Sequence, residues 1–255
     1  MVERAVETGE LRIRPATVAD LADIAELLLA TRADAVPAMP PLARPAEEVR
    51  AFVLGWDLDD DAGREVWLAE DDLGAAGFAV LRSDWLDSLY VGPDRQGSGV
   101  GSALLELVKS VRPDGFGLWV FASNAPARAF YHRHGLIELE LTDGSANQEG
   151  APDVHMAWPG NHPQAYLRAR IDAIDDELAE LLARRFALAA AVQGYKPRGG
   201  HVDRDPVREH EIAERMARHV PGLEVERVAR VLDAIIAEGI DRWEASHTGF
   251  PGDDA

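Results

Sequence analysis

Residues 165–196 read AYLRARIDAIDDELAELLARRFALAAAVQGYK, and the period of this stretch decides how the chain is divided. Apolar side chains fall at Leu167, Ile171, Ile174, Leu178, Leu181, Leu182 and Leu188, the spacing of one helical face. A helix of roughly 30 residues at 1.5 Å each is about 45 Å long, longer than a small domain is wide. Such a helix needs a partner along its length. Further on, Asp205 followed by Pro206 is an N-cap with proline at the first helical position, which opens a second helix through His219. Pro221 and Gly222 break it, and EVERVARVLDAIIAEGIDRWEA forms a third. Three helices with one apolar face each make a thin core, so this half is expected to dimerise through its long helix.

Upstream the period changes. LRIRPAT is a strand ending at Pro15 and VADLADIAELLLATR an amphipathic helix, and a second helix lies near AEEVRAFVLGW. REVWLAED, GAAGFAVLRS and LDSLYVG read as three consecutive strands. SGVGSALLELVKSV is helical, GFGLWVFAS extended, APARAFYHRHG helical with Gly135 as its stop, and LIELEL and DVHMAW extended. That order gives a mixed α/β domain over residues 1–159. PGNHPQ, rich in proline and glycine, marks a linker at 160–164; the helical domain then occupies 165–246, and 247–255 reads as a disordered tail.

The charge is shared unevenly between the halves. Residues 1–163 carry 13 basic against 27 acidic residues, while 164–246 carry 13 against 16. The formal net charge of −19 argues against nucleic acid as a partner. An anionic small substrate is easier to place in the second half. There are no cysteines, which excludes thiolate chemistry and disulfides and fits a reducing compartment. No apolar run approaches a membrane span and the acidic start lacks a signal peptide's pattern, so the expected setting is soluble and cytoplasmic. Of 26 basic residues 24 are Arg; the two lysines are Lys109 and Lys196.

Two stretches carry chemistry. In VGPDRQGSGVGSALL, Gln96, Gly99 and Gly101 form Q-x-x-G-x-G between a strand and a helix, where backbone N–H groups can hold a phosphate. By itself the motif reads equally as a tight turn without a ligand. With the upstream LDSLYV and the downstream NAPARAFYHRHGL, residues 10–159 resemble the GNAT N-acetyltransferases. The resemblance implies acetyl-CoA as cofactor, held by Val91, Gln96, Gly97, Ser98, Gly99, Val100, Gly101, Ser102 and Asn124. The family's helix motif falls on Asn124, Ala129, Phe130 and Tyr131, and its general acid on Tyr131. Asp87 stands on the strand where a base would lie, and reads equally as a solvated carboxylate. The acceptor, an amine, would enter by the loop ADAVPAMPPLARPAEE, which carries no charge signature that names it.

The second stretch comprises LRARIDAIDDELAELLARR, VQGYK and DRDPVRE, and over residues 164–245 the chain resembles the all-helical, AroQ-type chorismate mutases. The resemblance implies an intertwined three-helix dimer acting on chorismate or a close analogue. It puts carboxylate-binding arginines on Arg168, which reaches into the partner's site, and Arg185. The ether-oxygen lysine falls on Lys196, and the loop aspartate, helix arginine and hydroxyl-binding glutamate on Asp205, Arg208 and Glu209. The chemistry suits these types: forked guanidinium groups match carboxylates, whereas a compact ammonium aims one N–H at a single oxygen. The third helix departs from the family, placing Gly239 and Trp243 where a small polar residue and an amide bind substrate. Three alternatives to the chorismate-to-prephenate rearrangement therefore remain open. They are an amino analogue such as 4-amino-4-deoxychorismate, pyruvate elimination from isochorismate, and a ligand-sensing dimerisation module that regulates the acetyltransferase.

Overall fold

A computed structural model describes residues 10–58, 63–196, 200–220 and 222–247. The tail expected at 247–255 lies outside the described residues except for its first residue. Contacts divide the chain into two compact units, Met1–Arg168 and Ala169–Ala255, and the division falls inside the long helix.

The first unit is built on a seven-stranded sheet of order β1-β2-β3-β4-β5-β7-β6. Its strands are β1 (Arg12–Pro15), β2 (Arg64–Asp71), β3 (Gly74–Arg82), β4 (Trp85–Val91), β5 (Phe116–Phe121), β6 (Ile137–Leu141) and β7 (Asp153–Trp158). Its helices are α1 (Leu21–Asp34), α2 (Ala46–Leu54), α3 (Val100–Val111) and α4 (Ala125–Arg133). Every described pairing is antiparallel except β4 with β5, which makes the sheet mixed.

Both faces of the sheet are covered. α3 sends Val100, Leu104, Leu105 and Val108 into a core with Leu81, Leu86, Phe116, Leu118 and Met156. On the opposite face Leu21, Ile24 and Leu27 of α1 pack on Val66, Leu68, Phe78 and Val80. Consequently β3 is buried at six consecutive positions, as a strand sandwiched between helices must be. A register shift at Val80/Leu81 bends β4 away, and β4 meets β5 only at Trp85 opposite Gly117. Because the two strands run parallel and pair only near their starts, they separate toward Val91 and Phe121. The glycine-rich turn and the N-terminus of α4 both follow that open end.

β1 is fastened by a fork. Arg14 Nη1 and Nη2 each lie 2.8 Å from an Asp20 carboxylate oxygen, while Nε and Nη2 reach Glu70 at 3.1 and 2.8 Å. The arginine and the Thr17 backbone N–H hold the Asp20 carboxyl well below the usual carboxylate range. A depressed native pKa stabilises the fold above the unfolded carboxylate's range and loses that contribution as pH falls through the native value. We expect Asp20 to contribute about 1–3 kcal/mol to the fall in urea stability between pH 7 and pH 2, so that Arg14→Met shows a smaller drop than wild type. An equal drop in both proteins would contradict it.

The second unit has α5 (Pro163–Gln193, begun in the first unit), α6 (Pro206–Ala217) and α7 (Val225–His247), with a short 3-10 turn at Gly200–Asp203. α6 starts where the sequence places it: Asp205 caps it, the side chain accepting from the Arg208 N–H at 3.1 Å. Among the described residues the buried cluster is Ala213, Val228 and Leu232, with Ile212, Met216, Leu223 and Ile236 against it, and Ile240 is buried besides. On α5, Ile171, Ile174, Leu178, Leu181 and Leu188 are 47–71% exposed. One protomer leaves that stripe in water. No helix among the described residues is long and apolar enough to cross a membrane.

Candidate functional sites

In the first unit the open end of the β4/β5 wedge gathers the predicted cofactor residues. Val91 ends β4; Gln96 follows the 3-10 turn Pro93–Arg95, which Arg95 pins to Asp71 at 2.7 Å. Gly99 takes φ 96° as the N-cap of α3, a conformation open to glycine and costly for other residues. Gly97 likewise has φ 77°, and Ser98 Oγ donates to Arg95 O at 2.6 Å. The turn thereby presents the first N–H groups of α3, which lack partners within the helix, toward the wedge end. Val100 is buried beneath it, and an added Cβ at Gly101 would stand 3.5 Å from Phe130. Ser102 Oγ lies 3.1 Å from His134 Nε2. Asn124 caps α4 by accepting from the Ala127 N–H at 3.2 Å.

Tyr131 is buried. Burial, with the neighbouring Tyr90 phenol adding to it, pushes its ionisation well above the ordinary tyrosine range, so it remains a proton donor. Asp87 pairs with Arg82 Nε at 2.9 Å, and burial raises its carboxyl despite the opposing influence of Arg82 and Arg64. Sequence reasoning missed Arg32 and Glu149. Their side chains are 8% and 15% exposed and 3.0 Å apart, and Arg32 also donates to Pro40 O in the acceptor loop. Nothing in the local sequence joins α1 to a loop 117 residues away.

In the second unit a cavity of about 150 Å³ is lined by Arg185, Ala189, Gln193, Lys196, Arg204, Asp205, Arg208, Glu209, Ile212, Ile236 and Ile240. Five residues singled out in the sequence thus meet in one place: Arg185, Lys196, Asp205, Arg208 and Glu209. Arg168 is not among the lining residues, and it precedes Arg185 by about 25 Å of helix rise at 1.5 Å per residue. Gly239 and Trp243 are also absent from the lining, where α7 contributes Ile236 and Ile240. The reason at Gly239 is a close approach: an added Cβ would lie 3.0 Å from Phe186 Cδ1, and Arg242 stacks over the same ring at 5.3 Å.

Arg204 has no role in the sequence reading, yet it organises one wall. Its Nε and Nη2 bind the two oxygens of Glu209 at 2.9 and 2.6 Å, and Nη2 also reaches Asp233 at 2.6 Å. Two carboxylates raise its already high pKa further, so the guanidinium stays charged and the Glu209 carboxylate is held in one orientation. Five positions separate the pair, outside the i, i+4 rule that flags helical ion pairs, because Arg204 lies before the helix cap.

Comparison with known proteins agrees with this division. Residues 62–136 match the family model described as acetyltransferase (GNAT) domain, and residues 167–243 match chorismate mutase type II. No curated protein matches the chain. Among solved structures, the apo form of YjaB from Escherichia coli is 22% identical, with 59% of this chain and 99% of that one covered at a TM-score of 0.49. A PaiA N-acetyltransferase from Thermoplasma acidophilum, solved with coenzyme A, is 19% identical, with 59% and 99% covered and a TM-score of 0.48. The ribosomal-protein-S18-alanine N-acetyltransferase of Escherichia coli is 25% identical, with 59% and 94% covered and a TM-score of 0.44. The chain therefore matches two enzyme families in succession, acetyltransferase (GNAT) domain over residues 62–136 and chorismate mutase type II over residues 167–243.

Proposed function

We propose that the helical domain rearranges chorismate to prephenate and that the sheet domain transfers an acetyl group from acetyl-CoA to an amine. The observation that carries the first half is the meeting of Arg185, Lys196, Arg208 and Glu209 on one cavity within the segment matching chorismate mutase type II. The rearrangement is pericyclic, with no nucleophile and no proton transfer. Catalysis then consists of holding the reactive conformer and stabilising charge on the ether oxygen as its bond to the ring breaks. Arg185 and Arg208 hold the carboxylates, Lys196 donates to the ether oxygen, and Glu209, fixed by Arg204, accepts from the ring hydroxyl.

The reading includes a homodimer. The exposed apolar stripe of α5 supports it, since 47–71% exposure of five large side chains on one helix is a surface another helix would cover. In that dimer Arg168 serves the partner's cavity. Subunit mixing tests both points: Arg168→Ala and Lys196→Ala should each be nearly inactive, and their equimolar mixture after exchange should recover about a quarter of wild-type activity, because half the dimers carry one intact site. A mixture as inactive as its parents would refute the shared site.

For the sheet domain, the GNAT match and the wedge geometry support an acyl-CoA lying along the open end of β4, its diphosphate on the N–H groups of α3. The amine attacks the acyl carbonyl, Asp87 or a water removes the ammonium proton, and the Tyr131 phenol protonates the departing thiolate. A second substrate for the helical domain is favoured by one observation. Phe186 fills the space that a side chain at position 239 would occupy, which removes a polar contact from that wall. 4-Amino-4-deoxychorismate run beside chorismate decides between the two.

A further inference from the structure

Of the 31 residues of α5, the one that is buried is polar: Gln193, 7% exposed. Its Oε1 accepts from the Gly200 N–H at 3.0 Å, and its backbone carbonyl accepts from the Lys196 N–H at 3.1 Å. The first bond orients the amide. With Oε1 committed to a backbone donor, the other end of the group is the NH₂, and among the described residues nothing accepts a hydrogen bond from it. Gly200 has φ 70° and is itself buried, so the loop return that supplies this N–H is fixed.

Gln193 lines the cavity together with Lys196, Arg185 and Arg208. The buried polar atoms that lack a partner do not include Gln193 Nε2, so although the residue is buried this end of its amide is open to the cavity, where a ligand oxygen can accept from it. The ether oxygen of the breaking bond has two lone pairs, of which the Lys196 ammonium takes one. The three neighbouring cations, Lys196, Arg185 and Arg208, already match a dianionic substrate, so a neutral donor adds hydrogen bonding without excess charge. Among the described residues α7 contributes Ile236 and Ile240 to the lining, and both are apolar.

We infer that Gln193 Nε2 is the second donor to the ether oxygen, beside Lys196, and so is a catalytic residue of the rearrangement. This rests on the mutase reading of the cavity. No atoms are transferred in the step: one C–O bond breaks as one C–C bond forms, and the amide proton stays on nitrogen.

The test is a binding measurement that does not depend on turnover. An oxabicyclic dicarboxylate mimicking the rearranging skeleton, and its counterpart with CH₂ in place of the ether oxygen, are titrated calorimetrically into full-length wild type, Gln193→Met and Gln193→Glu. Wild type is expected to prefer the oxygen compound by at least about tenfold, and Gln193→Met to lose most of that preference, as removal of a donor to a developing charge does. Gln193→Glu keeps the acceptor for Gly200. It should lose the preference near pH 7.5 and regain it as pH falls below about 4.3, where a carboxyl of ordinary pKa becomes mostly protonated and donates. The same pH response should appear in kcat, with wild type flat. A role confined to anchoring the loop leaves the Glu variant's preference unchanged at both pH values, and that result would overturn the assignment. If wild type binds both compounds equally, the donor falls while the dicarboxylate site stands. If it binds neither, the mutase reading fails and takes this inference with it.

Discussion

Replacing Lys196 by Arg is expected to lower kcat for chorismate by at least about 10²-fold, although the charge is kept. The cavity is about 150 Å³ and already holds two guanidinium groups, Arg185 and Arg208, besides that of Arg204. A fourth planar fork in place of a slender ammonium both crowds the site and spreads its charge over several donors, whereas the ether oxygen is a single point. The backbone at this position is fixed, since the Lys196 N–H is bonded to Gln193 O at 3.1 Å and cannot retreat to make room. Thermal stability should change little, because the substitution touches no packed core. A variant with wild-type kcat would remove Lys196 from the ether oxygen.

The second large effect belongs to the other domain. Tyr131→Phe should reduce acetyl transfer by about 10²–10⁴-fold while leaving acyl-CoA affinity within a factor of two or three. The phenol is buried in the α3/α4 core, and its raised ionisation keeps the proton available for a departing thiolate throughout the physiological range. Phenylalanine fills the same space, so the edge contact with the Phe130 ring survives. Equal transfer rates in both proteins would dismiss Tyr131 as the acid. A parallel loss of acyl-CoA binding would instead make it a packing residue of the cofactor cleft. Mutase activity in the same preparation serves as the internal control.

Much of this architecture is legible in the sequence because it is encoded locally. Short apolar runs rich in β-branched and aromatic residues mark β2, β3 and β4, and a spacing of three and four marks α3 and α5. Asp205 with Pro206 fixes the start of α6, since capping is a matter between neighbours. The α6 end shows the usual looseness, Ala217 rather than His219. What the sequence does not display is pairing between distant groups. Arg204 looks like any surface arginine until Glu209 and Asp233 are seen around it. Gln193 looks like a polar break at a helix end until the chain returns at Gly200. Counting along α7 leads to Gly239 and Trp243, whereas the faces that meet the cavity belong to Ile236 and Ile240. A family pattern gives positions, and helix rotation together with one bulky neighbour, Phe186, decides which of them line the cavity.

The apolar stripe on α5 illustrates a different kind of hidden information. Its residues are chosen for burial, yet in a single chain they are open to water. In the proposed dimer a second copy of the chain covers them, and the pattern then records an assembly rather than a fold.

The most direct test of the central claim follows the disappearance of chorismate with the full-length protein, the product being identified by nuclear magnetic resonance because the rearranged acid has the same mass. Conversion of chorismate to prephenate, lost in Lys196→Arg and retained in Tyr131→Phe, is the predicted result. Chorismate that binds and remains unchanged would contradict it, and would leave the helical domain as a ligand-binding dimerisation module beside the acetyltransferase.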